Sequence, residues 1–192
     1  MRIILASKSP RRRELLKNLG ITDFEVIPAH GEEKLVSGLS PEDEVRSIAL
    51  GKAREVAQAC SGDDVVIAAD TLVFLNGEPL GKPASRDDAF RMLRALSGRS
   101  HSVLTGVAVI RGGDELCECE STRVFFRDLS DEEIEKYVDS GDPMDKAGAY
   151  GIQGLGSVFI PRVEGDYFNV MGLPVARLYL MLRQMGIFNL RR

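Results

Sequence analysis

Val65-Val66-Ile67-Ala68-Ala69-Asp70-Thr71-Leu72-Val73-Phe74-Leu75-Asn76-Gly77 is the stretch on which the fold reading turns. Five apolar residues in an unbroken run predict a strand buried on both faces, the kind found inside α/β sheets. A second run, Leu72 to Leu75, leads into Asn76-Gly77, two residues that tolerate left-handed backbone and form the strongest short hairpin signal. Between the runs stands Asp70, a carboxylate carried to the end of a buried strand. An unpartnered charge there is strongly disfavoured, so Asp70 is expected to meet a cation, a metal ion or several N–H donors. The plainer alternative is a structural acid that caps Thr71 or the hairpin.

Toward the N-terminus, Ser40-Pro41-Glu42-Asp43 opens a helix running to about Cys60, with the cap, proline and first-turn acids in their expected places. Before it come a strand from Phe24 to Pro28 and a helix capped by Ser9, begun by Pro10, striped by Leu15, Leu16 and Leu19 and stopped by Gly20. Arg2 to Ala6 is the first buried strand. Toward the C-terminus, Ser85 starts a helix with Phe90, Met92, Leu93 and Leu96 inward. Two long strands, Val103 to Ile110 and Cys117 to Phe126, flank Gly112-Gly113. Ser130 to Glu133 is a capping box before the helix at Ile134 to Val138. A glycine-rich loop, Lys146 to Gly156, precedes a strand at Val158 to Val163 and a helix at Leu173 to Met185. Strands and helices alternate without a long linker, which predicts one α/β domain with a mixed sheet and room for a pinch into two lobes.

A chain of 192 residues, 44% of them hydrophobic, can build a core without disulfides. The three cysteines are an odd count, and Cys117 and Cys119 lack the spacing of a zinc knuckle, so all are read as reduced thiols. The net charge of -4 weighs against bulk nucleic-acid binding, and 6% aromatic content without Trp weighs against base-stacking platforms. No apolar run approaches the roughly 18 residues of a membrane span, and no charged leader precedes one, so a cytoplasmic protein without a membrane partner is expected.

Ser7-Lys8-Ser9-Pro10-Arg11-Arg12-Arg13 combines hydroxyls, a helix N-terminus and clustered arginines, which is an anion site by construction. Basic residues in a first turn oppose the helix dipole unless an anion sits there. Lys52 is informative through its phase: at about 100° per residue it falls about 40° from Ile48, inside the apolar stripe. Such a lysine either snorkels to solvent or points into a site holding negative charge, and Lys52→Met is expected to keep the fold and lose activity. Glu32-Glu33 forms a second acidic cluster. With Asp70, one of them suits an oxygen-coordinated Mg²⁺ that keeps waters and substrate phosphates as its other ligands. Gly81-Lys82-Pro83 is no P-loop, because Pro83 stands where a metal-binding Ser or Thr belongs, and the loop around Gly151 has no dinucleotide-binding order. His30 and His101 lack a nucleophile partner and are read as structural.

Taken together, Ser7-Lys8-Ser9-Pro10-Arg11-Arg12, Glu32-Glu33, Lys52, Ala69-Asp70-Thr71, Gly81-Lys82-Pro83, Ser97-Gly98, the stretch from Asp145 to Gly154 and Gly172-Leu173-Pro174 resemble the Maf family of nucleoside triphosphate pyrophosphatases. The resemblance spans nearly the whole chain, and it implies a single domain over residues 1–192. The implied fold is an elongated, two-lobed α/β domain with a mixed twisted sheet flanked by helices, related to inosine triphosphate pyrophosphatases, with a cleft between the lobes. It further implies a divalent metal cation, Mg²⁺ or Mn²⁺, and in many members a homodimer. By position, Ser7, Arg12, Lys52 and Lys82 would hold the triphosphate, Glu33 and Asp70 the metal and water, with Asp70 as general base.

Three positions are associated with the division of the family by substrate, and here they carry Arg11, Thr71 and Gln153. This set looks like the branch acting on dTTP and UTP. A uracil or thymine edge presents carbonyl acceptors beside an N3–H donor, which the two-sided amide of Gln153 and the donor fork of Arg11 match. The branch acting on 7-methylguanosine triphosphate has an aromatic residue, Gln and Glu at these places. The alternatives are that enzyme activity, a broader house-cleaning activity on modified pyrimidine nucleotides, or a regulatory binding protein that inhibits septum formation.

Overall fold

In the computed structural model, which describes residues 1–31 and 38–189, the first half of the chain forms β1 (Ile3–Leu5), α1 (Pro10–Asn18), β2 (Glu25–Val26), α2 (Pro41–Ala57), β3 (Val65–Leu75), β4 (Glu78–Leu80) and α3 (Arg86–Leu96). The second half adds β5 (Ser100–Arg111), β6 (Asp114–Phe125), α4 (Asp131–Asp139), β7 (Arg162–Glu164), α5 (Tyr167–Met171) and α6 (Val175–Gln184), with short 3-10 turns between α4 and β7. The expected starts are where the caps put them. Ser9, Ser40, Ser85 and Ser130 each accept a hydrogen bond from the backbone N–H three residues on, and Glu133 returns the bond to Ser130 as a complete capping box. Each such cap contributes about 1 kcal/mol.

The result is a mixed α/β fold. Its contacts divide the chain into two compact units, one comprising Met1–Asp70, Thr105–Glu120 and Gly172–Arg192 and the other Thr71–Leu104 and Ser121–Met171. In the first unit the strand order is β2-β1-β3-β5-β6, with β1 parallel to both neighbours. Its core joins Ile4, Ala49, Ala53, Val56, Val66, Ala68, Ala108 and Ile110, so α2 lies on the sheet with the stripe that the sequence pattern predicts. The approach is close: a Cβ at Gly106 of β5 would stand 2.1 Å from the Val45 carbonyl oxygen. Only glycine admits a helix backbone at that distance.

In the second unit β4 folds back antiparallel on β3, and β7 pairs antiparallel with β6. Asn76 and Gly77 carry the β3–β4 turn with φ of 55° and 85°, the two left-handed positions a two-residue hairpin demands. The core gathers Leu93, Leu96, Val103, Phe126, Ile134, Tyr137, Val138, Tyr150 and Phe159 around α3 and α4.

Two expectations need correction. The apolar runs on either side of Asp70 are one strand, so Asp70 lies in the middle of β3 and not at a strand end. The strand expected at Val158 to Val163 is confined to Arg162–Glu164, while Gly154–Phe159 winds as 3-10 turns. Pro161 is the reason: it restricts Ile160 and donates nothing to a ladder, so pairing begins only after it.

Asp64, just before β3, fastens the first unit's N-terminus. Its carboxylate accepts from the Arg2 backbone N–H at 3.0 Å, from Arg2 Nη2 at 2.6 Å and from the Ser61 N–H at 3.1 Å. Hydrogen bonds from Arg2 hold its pKa down to about 2. A carboxylate lowered on folding contributes stability that is complete above its unfolded value of about 4 and is lost as pH falls toward 2. Asp64→Asn is therefore expected to lower the melting temperature at pH 7 by clearly more than at pH 2, measured by thermal melts at both. An equal loss at pH 2 would show that the side chain's packing, and not its charge, is what matters.

Candidate active site

In the first unit the sheet carries two groups of the expected residues. Chain direction brings the end of β1 to the start of α1, and there Ser7 is buried with its Oγ accepting from the Ser9 N–H and from Arg12 Nη1, both at 3.2 Å. Arg12 Nε donates to the Gly172 carbonyl oxygen at 2.7 Å. Ser7, Arg12 and Gly172, scattered in sequence, are thereby one hydrogen-bonded group. The first turn of α1 contains no acidic residue, so its own side chains add only positive charge to the positive end of the helix. That is the electrostatic setting in which an anion is stabilising. Arg11 lies in the same turn and is half-buried.

The second group is the pair Lys52 and Asp70. Lys52 Nζ donates to Asp70 Oδ1 at 2.6 Å, with the side chains only 17% and 6% exposed. Of the two readings left open for Lys52, a snorkelling chain and an inward ammonium, the second is what the fold adopts. Asp70 has the cation it was expected to need. Its other oxygen, Oδ2, is buried and has no hydrogen-bond partner among the described residues. A carboxylate held by one oxygen and unpartnered at the other is equipped to accept a proton or to ligate a hard cation.

In the second unit, the Gly148 N–H donates to the Gly81 carbonyl oxygen at 3.0 Å, which ties the Gly81-Lys82-Pro83 loop to the turn at Ala147–Ala149. Lys82 and Gln153 are both exposed, and Thr71, the residue after Asp70 in β3, is half-buried. Sequence reasoning included Asp145 and Lys146 in the stretch from Asp145 to Gly154 but missed Tyr137 and Asp142, which support this loop region. Lys146 Nζ donates to Asp142 Oδ1 at 3.1 Å and to Asp145 Oδ1 at 2.7 Å, and the Tyr137 hydroxyl donates to Asp142 Oδ2 at 2.7 Å. The available signal was the density of acids around Lys146, which pairs with both Asp142 and Asp145.

Glu33, expected beside Asp70 as a metal ligand, lies outside the described residues together with Glu32. Among the described residues no three His, Cys, Asp or Glu side chains cluster as a metal site. Asp70 alone still fits a divalent cation of the hard, oxygen-seeking kind. Such ions are held by one or two carboxylates, with waters and substrate phosphates completing the shell. The three cysteines are free thiols, and Cys117 and Cys119 are pushed up to about 11 by burial, which leaves them protonated and unreactive at neutral pH. Among the described residues no helix is long and apolar enough to cross a membrane.

The fold is shared with proteins called Ham1. The Ham1 protein of Staphylococcus aureus superposes with a TM-score of 0.51 at 19% identity, over 83% of this chain and 80% of that one. A HAM1 protein from Coxiella burnetii gives 0.52 at 18%, over 96% and 99%. Sequence narrows the class: the profile of the family described as Maf-like protein matches residues 2–185, and the chain belongs to that family. Similar relatives include a dTTP/UTP pyrophosphatase of Alkaliphilus oremlandii (strain OhILAs), 50% identical over 98% of each chain. Another, from Symbiobacterium thermophilum, is 52% identical over 96% of this chain and 94% of the relative. A third, from Clostridium perfringens (strain SM101 / Type A), is 46% identical over 97% and 98%.

Proposed function

We propose that this protein is a nucleoside triphosphate pyrophosphatase acting on dTTP and UTP, which it hydrolyses to the nucleoside monophosphate and pyrophosphate. The observation that carries the chemistry is the Lys52–Asp70 pair with its unpartnered Oδ2. The choice of nucleotides is supported by near full-length identity to relatives named dTTP/UTP pyrophosphatase.

Asp70 is the general base in this reading. Lys52 holds one carboxylate oxygen, which orients the other, and Oδ2 takes the proton of a water as its oxygen bonds to phosphorus. The P–O bond to the departing pyrophosphate breaks in the same displacement. Ser7, Arg12, Lys52 and Lys82 offset the charge of the triphosphate, with Arg12 pre-set by its bonds to Ser7 and Gly172. A divalent metal, Mg²⁺ or Mn²⁺, supplies further neutralisation of phosphate oxygens when bound, with Asp70 and Glu33 as its protein ligands.

Arg11, Thr71 and Gln153 select the base. The Gln153 amide offers a donor to a pyrimidine carbonyl and an acceptor to N3–H. Gln153→Glu replaces the donor by an acceptor, so kcat/KM for dTTP and UTP is expected to fall roughly 10- to 100-fold, with the loss in KM. An unchanged KM for both nucleotides would remove Gln153 from base recognition.

The decisive experiment is release of pyrophosphate from a panel of canonical and modified nucleotides, including 7-methylguanosine triphosphate. It is run with chelator and with Mg²⁺ or Mn²⁺ restored. Turnover of dTTP and UTP above the rest, lost with chelator and regained with metal, is the expected result. Preference for 7-methylguanosine triphosphate would overturn the substrate assignment. Binding without turnover of any nucleotide would favour a regulatory role.

A further inference from the structure

Gln153 is exposed, and no side-chain hydrogen bond caps the 3-10 turn it precedes. The position of its amide therefore depends on the backbone that carries it. That backbone is fastened by polar atoms of side chains whose rings belong to the core of the second unit. The Gly151 N–H donates to Tyr137 Oη at 3.1 Å, and the same hydroxyl donates to Asp142 Oδ2 at 2.7 Å. One residue earlier, the buried Tyr150 shares a 2.7 Å hydrogen bond between its hydroxyl and His101 Nε2. Ile152, next to Gln153, is buried.

The rings behind these bonds interlock. His101 stands edge-on to Tyr150 and to Phe126, with centroids 5.2 Å apart in both cases, and Tyr137 stands edge-on to Phe159 at 5.1 Å. Burial lowers the His101 pKa to about 4, so the ring is neutral at pH 7. Its Nδ1 is buried without a hydrogen-bond partner among the described residues. An apolar ring would fill the same space without an unsatisfied nitrogen, which carries a desolvation penalty. What the imidazole adds is the bond to Tyr150.

We propose that Tyr137 and the His101–Tyr150 pair are positioning residues for base recognition: they fix the Tyr150–Ile152 backbone and so set where the Gln153 amide stands. The proposal rests on the reading of Gln153 given above and adds how its position is enforced from a buried aromatic cluster. None of the three touches substrate; they act through Gln153.

The test is a double-mutant cycle on Tyr137→Phe and Gln153→Ala, with KM for dTTP and the inhibition constant of inorganic tripolyphosphate as readouts. Tyr137→Phe keeps the ring and removes only the hydroxyl. It is expected to raise KM for dTTP about tenfold in the presence of Gln153 and less than about twofold in the Gln153→Ala background. The tripolyphosphate constant, which reports phosphate binding without a base, is expected to stay within about twofold. Additive effects on KM, or a parallel rise in the tripolyphosphate constant, would overturn the proposal. If Tyr137→Phe does not fold, Tyr150→Phe carries the same cycle, since it removes the hydroxyl that His101 holds.

Amide hydrogen exchange gives a readout independent of turnover. Exchange at Gly151 is expected to quicken by about tenfold in Tyr137→Phe, and no change there would also refute the anchoring. Faster exchange in a protein whose wild type releases no pyrophosphate from dTTP or UTP would instead sink the functional reading, and with it the link to base recognition, while the anchor itself stood.

Discussion

Asp70→Asn is expected to lower kcat for pyrophosphate release from dTTP by about 10²- to 10⁴-fold, the range supplied by a positioned general base. The substitution is nearly isosteric and keeps an oxygen that can accept from Lys52 Nζ, now 2.6 Å from Oδ1. What it removes is the basic oxygen that would take the proton. Stability is expected to change by only about 1–2 kcal/mol, because an amide in place of the carboxylate lightens the burden of burial while it weakens the bond to the ammonium. Stopped assays at saturating nucleotide, beside a urea melt of the same preparation, separate the two effects. A variant that retains a tenth or more of the wild-type rate would exclude Asp70 as the base.

Lys52→Met carries the largest expected cost in stability. Removing the ammonium leaves the Asp70 carboxylate buried at 6% side-chain exposure with its charge unmatched. Breaking a buried pair from one side costs about 3–5 kcal/mol, a large part of the roughly 5–15 kcal/mol that holds a domain folded. The unbranched Met matches the length of the lysine stem on the helix face that also carries the buried Ile48 and Val56, so packing is not the expected source of the loss. The sequence-based expectation that this variant simply keeps its fold is thus amended by the pair: it would fold with a reduced margin and lose activity. The double variant Lys52→Met/Asp70→Asn is expected to recover half or more of the lost stability, because no buried charge remains. Urea unfolding of the two singles and the double tests this, and a single Lys52→Met loss below about 1 kcal/mol would mean that Asp70 finds another partner.

Much of the architecture is legible locally. Helix starts are written in a serine three residues ahead of a backbone N–H it can cap, with Pro10 and Pro41 in the first turn, and those signals act over a few residues. The β3–β4 hairpin follows from Asn76-Gly77 because only such residues accept two successive left-handed conformations at little cost. The strand expected at Val158 to Val163 failed for an equally local reason, since Pro161 interrupts an apolar run that otherwise reads as a strand. The reading of Asp70 as a strand end failed for a non-local one. A carboxylate in mid-strand is improbable until its ammonium is known, and that ammonium comes from a helix 18 residues earlier in the chain.

The order of motifs along the chain by itself determined the family, the α/β class and the residue types available for phosphate, proton and base chemistry. It also placed Lys52 on the apolar face of its helix, through nothing more than 3.6-residue periodicity. Only the tertiary structure decided that Lys52 turns inward to Asp70, that Arg12 is locked between Ser7 and the Gly172 carbonyl, and that Tyr137 meets the Gly151 N–H and His101 the Tyr150 hydroxyl. Hydrogen bonds and charge pairs between residues up to 160 positions apart depend on how strands are ordered and helices packed. Periodicity and capping fix each element, but they carry no information about which distant element its polar groups will meet.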